Sequence, residues 1–162
     1  WVKPTSIWPA LNLVIAQRLA SRLCSNCKIL QVVDEDLENK IKIFLNALSK
    51  RVDKEKFKEI KIFKPKGCDI CNGSGYKGRV GVYEIFLNDP EYEKLLIDPS
   101  KAKLSSHKNL DELISQGAGE FAIEKFALEQ GMVTMQQDGI LKVIEGITTL
   151  EEVEKISGAI KW

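Results

Sequence analysis

The sequence has little of what most enzyme active sites are built from. Its 162 residues include one histidine, His107, in a polar stretch where a surface role is expected. We find neither a Ser/His/Asp set nor a pair of carboxylates at a plausible spacing. The glycine-rich residues 73–78 lack the Gly-Lys-Ser/Thr ending of a phosphate-binding loop. A self-contained enzyme is therefore not indicated, and we predict no catalytic residue in this chain.

Long apolar runs and targeting segments are also missing. No run approaches the roughly 20 residues of a membrane span, and residues 1–4 do not resemble the start of a signal peptide. At 44% hydrophobic residues the chain is too apolar to be disordered. There is no initiator methionine, so we expect a segment of a longer protein. Its length suits one domain, or one domain with a small subdomain attached.

Net charge is nearly absent at +1, but the charges are unevenly distributed. Residues 40–66 hold ten basic and three acidic side chains, whereas residues 84–162 hold eight basic and fifteen acidic ones. Such asymmetry is typical of a solvated face, and it also occurs where charge steers assembly or membrane docking.

Cysteine is scarce but paired: Cys24 and Cys27 form one CxxC unit, and Cys68 and Cys71 form another. Zinc binds four thiolates in a tetrahedron, and each CxxC turn can direct two sulfurs at one ion. Such a closed set of ligands leaves no position for water, which favours a structural zinc site. Two disulfides, a redox pair and unrelated buried thiols are the alternatives.

The N-terminal half has segments of both helical and strand periodicity. Residues 10–23 are apolar except for one polar face, which predicts a buried helix that ends at the first cysteine. Residues 37–48 predict an amphipathic helix, residues 59–64 a strand that stops at Pro65, and residues 79–86 a mostly buried strand.

The C-terminal half predicts short helices with clear boundaries. One spans residues 119–130, and two more begin after Thr134 and Thr149 and end near Gly146 and Gly158. Together these segments predict a compact helical bundle.

Three ordered motifs resemble those of one protein family. Residues 10–28, ALNLVIAQRLASRLCSNCK, are similar to the segment that carries the first cysteine pair in bacterial secretion and pilus assembly ATPases (GspE/PilB-like). Residues 67–84, GCDICNGSGYKGRVGVYE, resemble that family's GCxxCxGxGYxGRxGIxE signature. Residues 131–143 and 146–153 are similar to its last helices.

The resemblance implies an α+β fold: the C-terminal portion of a RecA-like P-loop ATPase domain with a four-cysteine zinc subdomain and a C-terminal helical bundle. We expect the end of the ATPase core, as a buried helix, in residues 1–23, and the zinc subdomain with its basic insert in residues 24–75. A core strand is expected in residues 76–89 and the helical subdomain in residues 90–162.

The resemblance also implies a function for the parent protein. Family members hydrolyse ATP with Mg²⁺ as homohexamers, and they power pilin or pseudopilin assembly with a platform protein of the inner membrane. The Walker motifs are absent here, so we expect this segment alone to be inactive and to supply structural zinc and docking surfaces. It would lie in the cytoplasm, peripheral at the inner membrane, with contact to the membrane surface and none to nucleic acid. Arg18 and Arg79 match arginines in family motifs, without an implied role at the nucleotide.

Two other classes share parts of the pattern. A DnaJ-type zinc chaperone module has the CxxCxGxG unit of residues 68–75, but it needs four such repeats and residues 24–30 lack the glycines. A zinc-ribbon nucleic-acid module could use the basic residues 40–66, although few aromatic residues lie there to stack on bases.

Overall fold

A computed structural model describes residues 13–49, 51–87, 113 and 117–162 of the chain. They form a mixed α/β structure with two long strands, two short strands and four helices, the last three helices following the strands. In chain order the strands and helices are β1 (Leu13–Leu23), β2 (Ile29–Gln31), α1 (Glu35–Ala47), β3 (Ile62–Lys64), β4 (Tyr76–Leu87), α2 (Glu120–Glu129), α3 (Met135–Ile144) and α4 (Leu150–Ser157). Two 3₁₀ turns cover Lys54–Phe57 and Asp69–Cys71.

The chain divides into two compact units. One contains the described residues up to Ile15 and those from Ile85 to Met132. The other contains Ala16–Glu84 together with Val133–Trp162. This division cuts across the domain boundaries expected from the sequence, because the last two helices group with the cysteine-bearing segment.

The helix predicted for residues 10–23 is wrong over the described part of that range, which is the strand β1. Seven consecutive residues from Leu13 to Leu19 are exposed, so the predicted burial is wrong as well. β1 pairs with β4 in a two-stranded sheet. An apolar run is compatible with a helix or a strand. Here the run is a strand because it pairs with β4, which begins more than fifty residues later in the sequence.

β4 is confirmed as a strand and is longer than predicted, but it is not mostly buried. Only Val82 of its twelve residues is fully buried. The strand predicted for residues 59–64 is shorter in the structure, where β3 covers Ile62–Lys64 and pairs antiparallel with β2.

α1 is confirmed, and its N-terminus is capped by Asp34, whose carboxylate accepts the N–H of Leu37 at 2.8 Å. α1 buries Ile41 and Phe44. They belong to a core that combines the insert between the cysteine pairs with α3 and α4: Ile41, Phe44, Leu48, Phe57, Ile62, Ile140, Leu141, Val143, Ile144 and Val153. The basic insert and the last two helices are thus stabilised by one shared core.

The three C-terminal helices are confirmed with the predicted boundaries to within one or two residues. Thr134 forms a capping box with Gln137, and Thr149 caps α4. α3 and α4 pack closely, because a Cβ built on Gly139 would lie 2.7 Å from Val153 Cγ1. In the described part of the chain no helix has the length and apolar character needed to cross a membrane.

Candidate metal centre

The four cysteines, 44 residues apart between pairs, converge at one point. Their Sγ atoms all lie within 4.8 Å of one another. The Sγ–Sγ distances are 4.0 Å for Cys24 and Cys68, 3.8 Å for Cys27 and Cys71, and 3.7 Å for Cys68 and Cys71. All four are free thiols, so the alternative of two disulfides does not describe this arrangement.

The first pair lies on a tight turn that follows β1 directly. The backbone N–H groups of Cys27 and Lys28 both donate to the Cys24 carbonyl, at 3.2 and 3.0 Å. Cys24 N–H donates to the Gly75 carbonyl at 2.9 Å, which ties this turn to the residues after the second pair. The pairing of β1 with β4 therefore brings the two CxxC units together.

The second pair depends on residues that adopt left-handed backbone conformations. Asn72 has φ of 52° and Gly73 and Gly75 have φ of 76°. A Cβ on Gly67 would lie 2.5 Å from the Gly73 carbonyl oxygen, so the backbone passes too closely for any side chain. These glycines let the backbone turn tightly around the second cysteine pair.

Backbone donors favour the thiolate form of Cys71. The N–H groups of Cys68 and Gly75 each donate to Cys71 Sγ at 3.2 Å. Burial raises the pKa of this thiol, but these backbone hydrogen bonds and the neighbouring thiols outweigh it and lower the pKa to about 6. At Cys27 burial dominates over a backbone hydrogen bond from Gly67 and raises the pKa to about 12.

The donor set fits a tetrahedral thiophilic metal ion. Four thiolates at about 2.3 Å from zinc are separated from one another by about 3.8 Å, and the three distances above lie within a few tenths of an ångström of that value. Cys24, Cys27 and Cys71 are buried and Cys68 is partly buried. Four close cysteines without a further neighbouring His, Asp or Glu ligand in the described residues could hold a metal ion such as zinc.

The site adjoins the turn between α3 and α4, and sequence reasoning missed every one of these contacts. Lys28 Nζ donates to the Gly146 carbonyl at 2.7 Å. The Tyr76 hydroxyl lies 3.2 Å from Thr149 Oγ1. On β1, Ser21 N–H donates to Glu152 Oε2 at 2.9 Å. These partners are more than 70 residues apart in sequence, so no local pattern could have indicated them.

The other predicted residues do not join the site. Arg18 and Arg79 are exposed, and within the described residues neither has an ion pair. His107 lies outside the described residues.

The positive charge of residues 40–66 is partly balanced by nearby acidic side chains. Five lysines of this segment form ion pairs with acidic residues close in sequence, two of which precede residue 40: Lys40–Asp36, Lys42–Glu38, Lys56–Asp53, Lys58–Glu55 and Lys61–Glu59. All five pairs are exposed. This arrangement fits the solvated-face interpretation better than a concentrated cationic patch.

Comparison with known proteins identifies one family and several relatives within it. A model of the family described as Type II/IV secretion system protein matches residues 2–155. A type IV pilus assembly ATPase PilB of Pseudomonas aeruginosa is 32% identical over 148 residues, which are 91% of this chain and 21% of that protein. A type II secretion system ATPase E of Vibrio cholerae is 33% identical over 156 residues, or 96% of this chain and 25% of that protein.

A type IV pilus assembly ATPase PilB of Thermus thermophilus is 31% identical over 152 residues, 94% of this chain and 14% of that protein. The chain thus spans a quarter or less of the length of these relatives. Because the family model covers nearly the whole sequence, the chain belongs to the Type II/IV secretion system protein family.

Proposed function

We propose that Cys24, Cys27, Cys68 and Cys71 bind one zinc ion that has a structural role. The observation that carries this proposal is the convergence of four Sγ atoms within 4.8 Å of one another, from two CxxC turns. Four thiolate ligands saturate zinc, so no open position remains for a substrate or for water. The ion would link two turns separated by about 40 residues of chain, and zinc binding of about 10–16 kcal/mol can offset the entropy of closing that loop.

Metal analysis of matched variants tests this proposal. Protein purified without added metal should hold close to one zinc per chain, and Cys68→Ser should lose most of it. Ser25→Ala changes an exposed residue between the first two cysteines and serves as the control that retains zinc. Full zinc content in Cys68→Ser, or a metal-free wild-type chain of equal thermal stability, would reject the proposed site.

We infer that the parent protein is an ATPase that powers pilin or pseudopilin assembly. The relatives named above are type IV pilus assembly and type II secretion ATPases, which supports this inference. In this proposal the described strands and helices form the C-terminal portion of a RecA-like ATPase domain that works as a homohexamer in the cytoplasm, at the inner membrane. The family match favours this role over a zinc chaperone or nucleic-acid module.

The zinc-bound turns would then present a docking surface. The partners we propose are a neighbouring subunit and the platform protein of the inner membrane. Two exposed apolar side chains close in sequence to the cysteines, Leu30 at 62% and Ile70 at 51% exposure, are suited to such contacts.

The 162-residue chain should not hydrolyse ATP by itself. It has no phosphate-binding loop, so nothing in it would stabilise the charge that develops on the transferred phosphoryl group. Phosphate release from ATP and Mg²⁺ is the measurement, and a boiled sample is the control. Turnover above that control would contradict the assignment of catalysis to the rest of the parent protein.

A further inference from the structure

Lys28 connects the first cysteine turn to the turn between α3 and α4. Its backbone N–H donates to the Cys24 carbonyl at 3.0 Å, so it is part of the cysteine turn itself. Its Nζ donates to the Gly146 carbonyl at 2.7 Å and lies 4.5 Å from the centroid of the Phe63 ring. One side chain therefore combines a charge-assisted hydrogen bond with a cation–π contact.

Gly146 is packed so closely against this pair that no side chain fits. Its φ is +68°, and a Cβ built on it would lie 2.6 Å from Phe63 Cδ2 and 3.0 Å from Lys28 Nζ. The backbone of the turn thus rests directly on the Lys28–Phe63 pair.

The residues that precede the first cysteine bind the same turn. Leu23 N–H donates to the Ile147 carbonyl at 2.8 Å, and the Thr148 hydroxyl donates to the Ser21 carbonyl at 2.8 Å. Thr148 is fully buried. The turn between α3 and α4 is therefore held by contacts from both sides of the Cys24–Cys27 unit.

We propose that metal binding at the four cysteines and closure of the α3–α4 turn are coupled, and that Lys28 carries this coupling. The inference rests on the proposed zinc site. A bound ion fixes the backbone of the first cysteine turn and with it the origin of the Lys28 side chain. When the ion leaves, the first turn loses its link through the metal to Cys68 and Cys71 and keeps only its backbone hydrogen bond to Gly75. The donor to Gly146 is then held less firmly in position. The C-terminal helix pair thereby responds to the state of the metal centre.

Coupling between two sites is reciprocal, which provides the test. If closure of the turn stabilises the metal-bound form, then loss of the Lys28 contact must weaken zinc binding. Lys28→Met removes the ammonium and keeps an unbranched side chain, whereas Lys28→Arg retains charge and the contact with the ring. Lys64→Met is the matched control, since Lys64 is an exposed lysine opposite Ile29 on β3. In the described part of the chain its side chain has no hydrogen bond or ion pair.

Two quantities are measured on the zinc-loaded protein: zinc affinity by competition with a chelator, and hydrogen exchange of the amides of residues 145–149. For Lys28→Met we expect about tenfold weaker zinc binding and about tenfold faster exchange in the turn, with exchange in α1 unchanged. Lys28→Arg should keep zinc affinity and exchange in the turn close to the wild-type values. Lys64→Met should change neither zinc affinity nor exchange.

A faster-exchanging turn with unchanged zinc affinity would overturn the coupling, as would unchanged exchange in Lys28→Met. Either result would leave the proposed zinc site intact, because the wild-type protein would still hold its ion. A wild-type protein without zinc would instead reject the metal site and this inference together.

Discussion

At the scale of single residues, the glycines around the second cysteine pair differ in what they require. Gly73 and Gly75 share a φ of +76°, a backbone conformation that residues with a side chain rarely adopt. A Cβ on Gly75 would also lie 2.3 Å from Pro65 Cβ, whereas nothing lies within 4 Å of one on Gly73. Substitutions at Gly73 and Gly75 therefore distinguish the cost of the positive φ from the cost of a steric clash.

Gly73→Ala should therefore cost about 1 kcal/mol of unfolding free energy, from the positive φ alone. Gly75→Ala should cost about 3 kcal/mol or more, since Pro65 must also move and the N–H that reaches Cys71 Sγ moves with it. Urea denaturation of the two zinc-loaded variants measures the difference. Equal costs would show that the close approach to Pro65 is not maintained in solution.

Glu152 is a buried carboxylate whose charge stabilises the contact between α4 and β1. Burial raises its pKa, but the interactions with Lys155 and with Ser21 outweigh burial, and the pKa lies below its usual value. A carboxyl group with a pKa lowered by folding stabilises the protein above the pKa of the unfolded chain, about 4.3. That stabilisation is lost as the pH falls through the folded pKa.

Glu152→Gln should therefore reduce the unfolding free energy by about 1–2 kcal/mol at pH 7, and the deficit should shrink as the pH falls below about 4. Denaturation curves of wild type and variant at matched pH values measure it. Glu151→Gln changes the exposed neighbour in the same helix and should have little effect at any pH. A deficit that grows towards low pH would show that the folded pKa is raised instead.

At the scale of elements, the helices with local caps were predictable from the sequence, whereas a strand that depends on a distant partner strand was not. α1, α3 and α4 have caps at Asp34, Thr134 and Thr149, each within three residues of the N–H it accepts. β1 has no such local determinant, because its hydrogen bonds go to β4. Its polar residues happen to repeat at a spacing that a helix would also satisfy.

At the metal centre, too, the local features were predictable and the long-range contacts were not. Two CxxC units were sufficient to predict which four residues converge, since the ligands of one tetrahedral ion have a characteristic spacing. Their connection to the α3–α4 turn was not predictable, because Lys28 and Gly146 are 118 residues apart and Ser21 and Glu152 are 131 apart. Neither Lys28 nor Glu152 differs in local sequence from an ordinary surface residue.

α1 offers a direct test of the core that it shares with α3 and α4. Ile41 is fully buried in that core, whereas Ile43, two residues on, is 66% exposed. Ile41→Ala should cost about 2–5 kcal/mol, and Ile43→Ala should cost less than about 0.5 kcal/mol. Hydrogen exchange should accelerate in α3 and α4 as well as in α1 for Ile41→Ala. Acceleration confined to α1 would show that the insert and the helix pair are separate folding units.

At the scale of the whole molecule, the charge asymmetry is smaller than the first count suggested. Residues 34–66 hold ten basic and seven acidic side chains, a net charge of +3, because the start of α1 is acidic. Acidic residues in the first turn of a helix are favoured by its dipole, so they also serve the fold. Attraction of this segment to an anionic membrane surface is correspondingly weak, and a docking role would depend on shape and apolar contacts rather than on charge.

The proposed structural zinc site depends on one arrangement of the four thiolates that the two CxxC turns bring together. X-ray absorption at the zinc edge of protein purified without added metal tests that arrangement most directly. We predict four sulfur ligands at about 2.3 Å with no nitrogen or oxygen ligand. A spectrum with two or three sulfurs and an oxygen or nitrogen ligand, or with no zinc at all, would contradict the closed structural site.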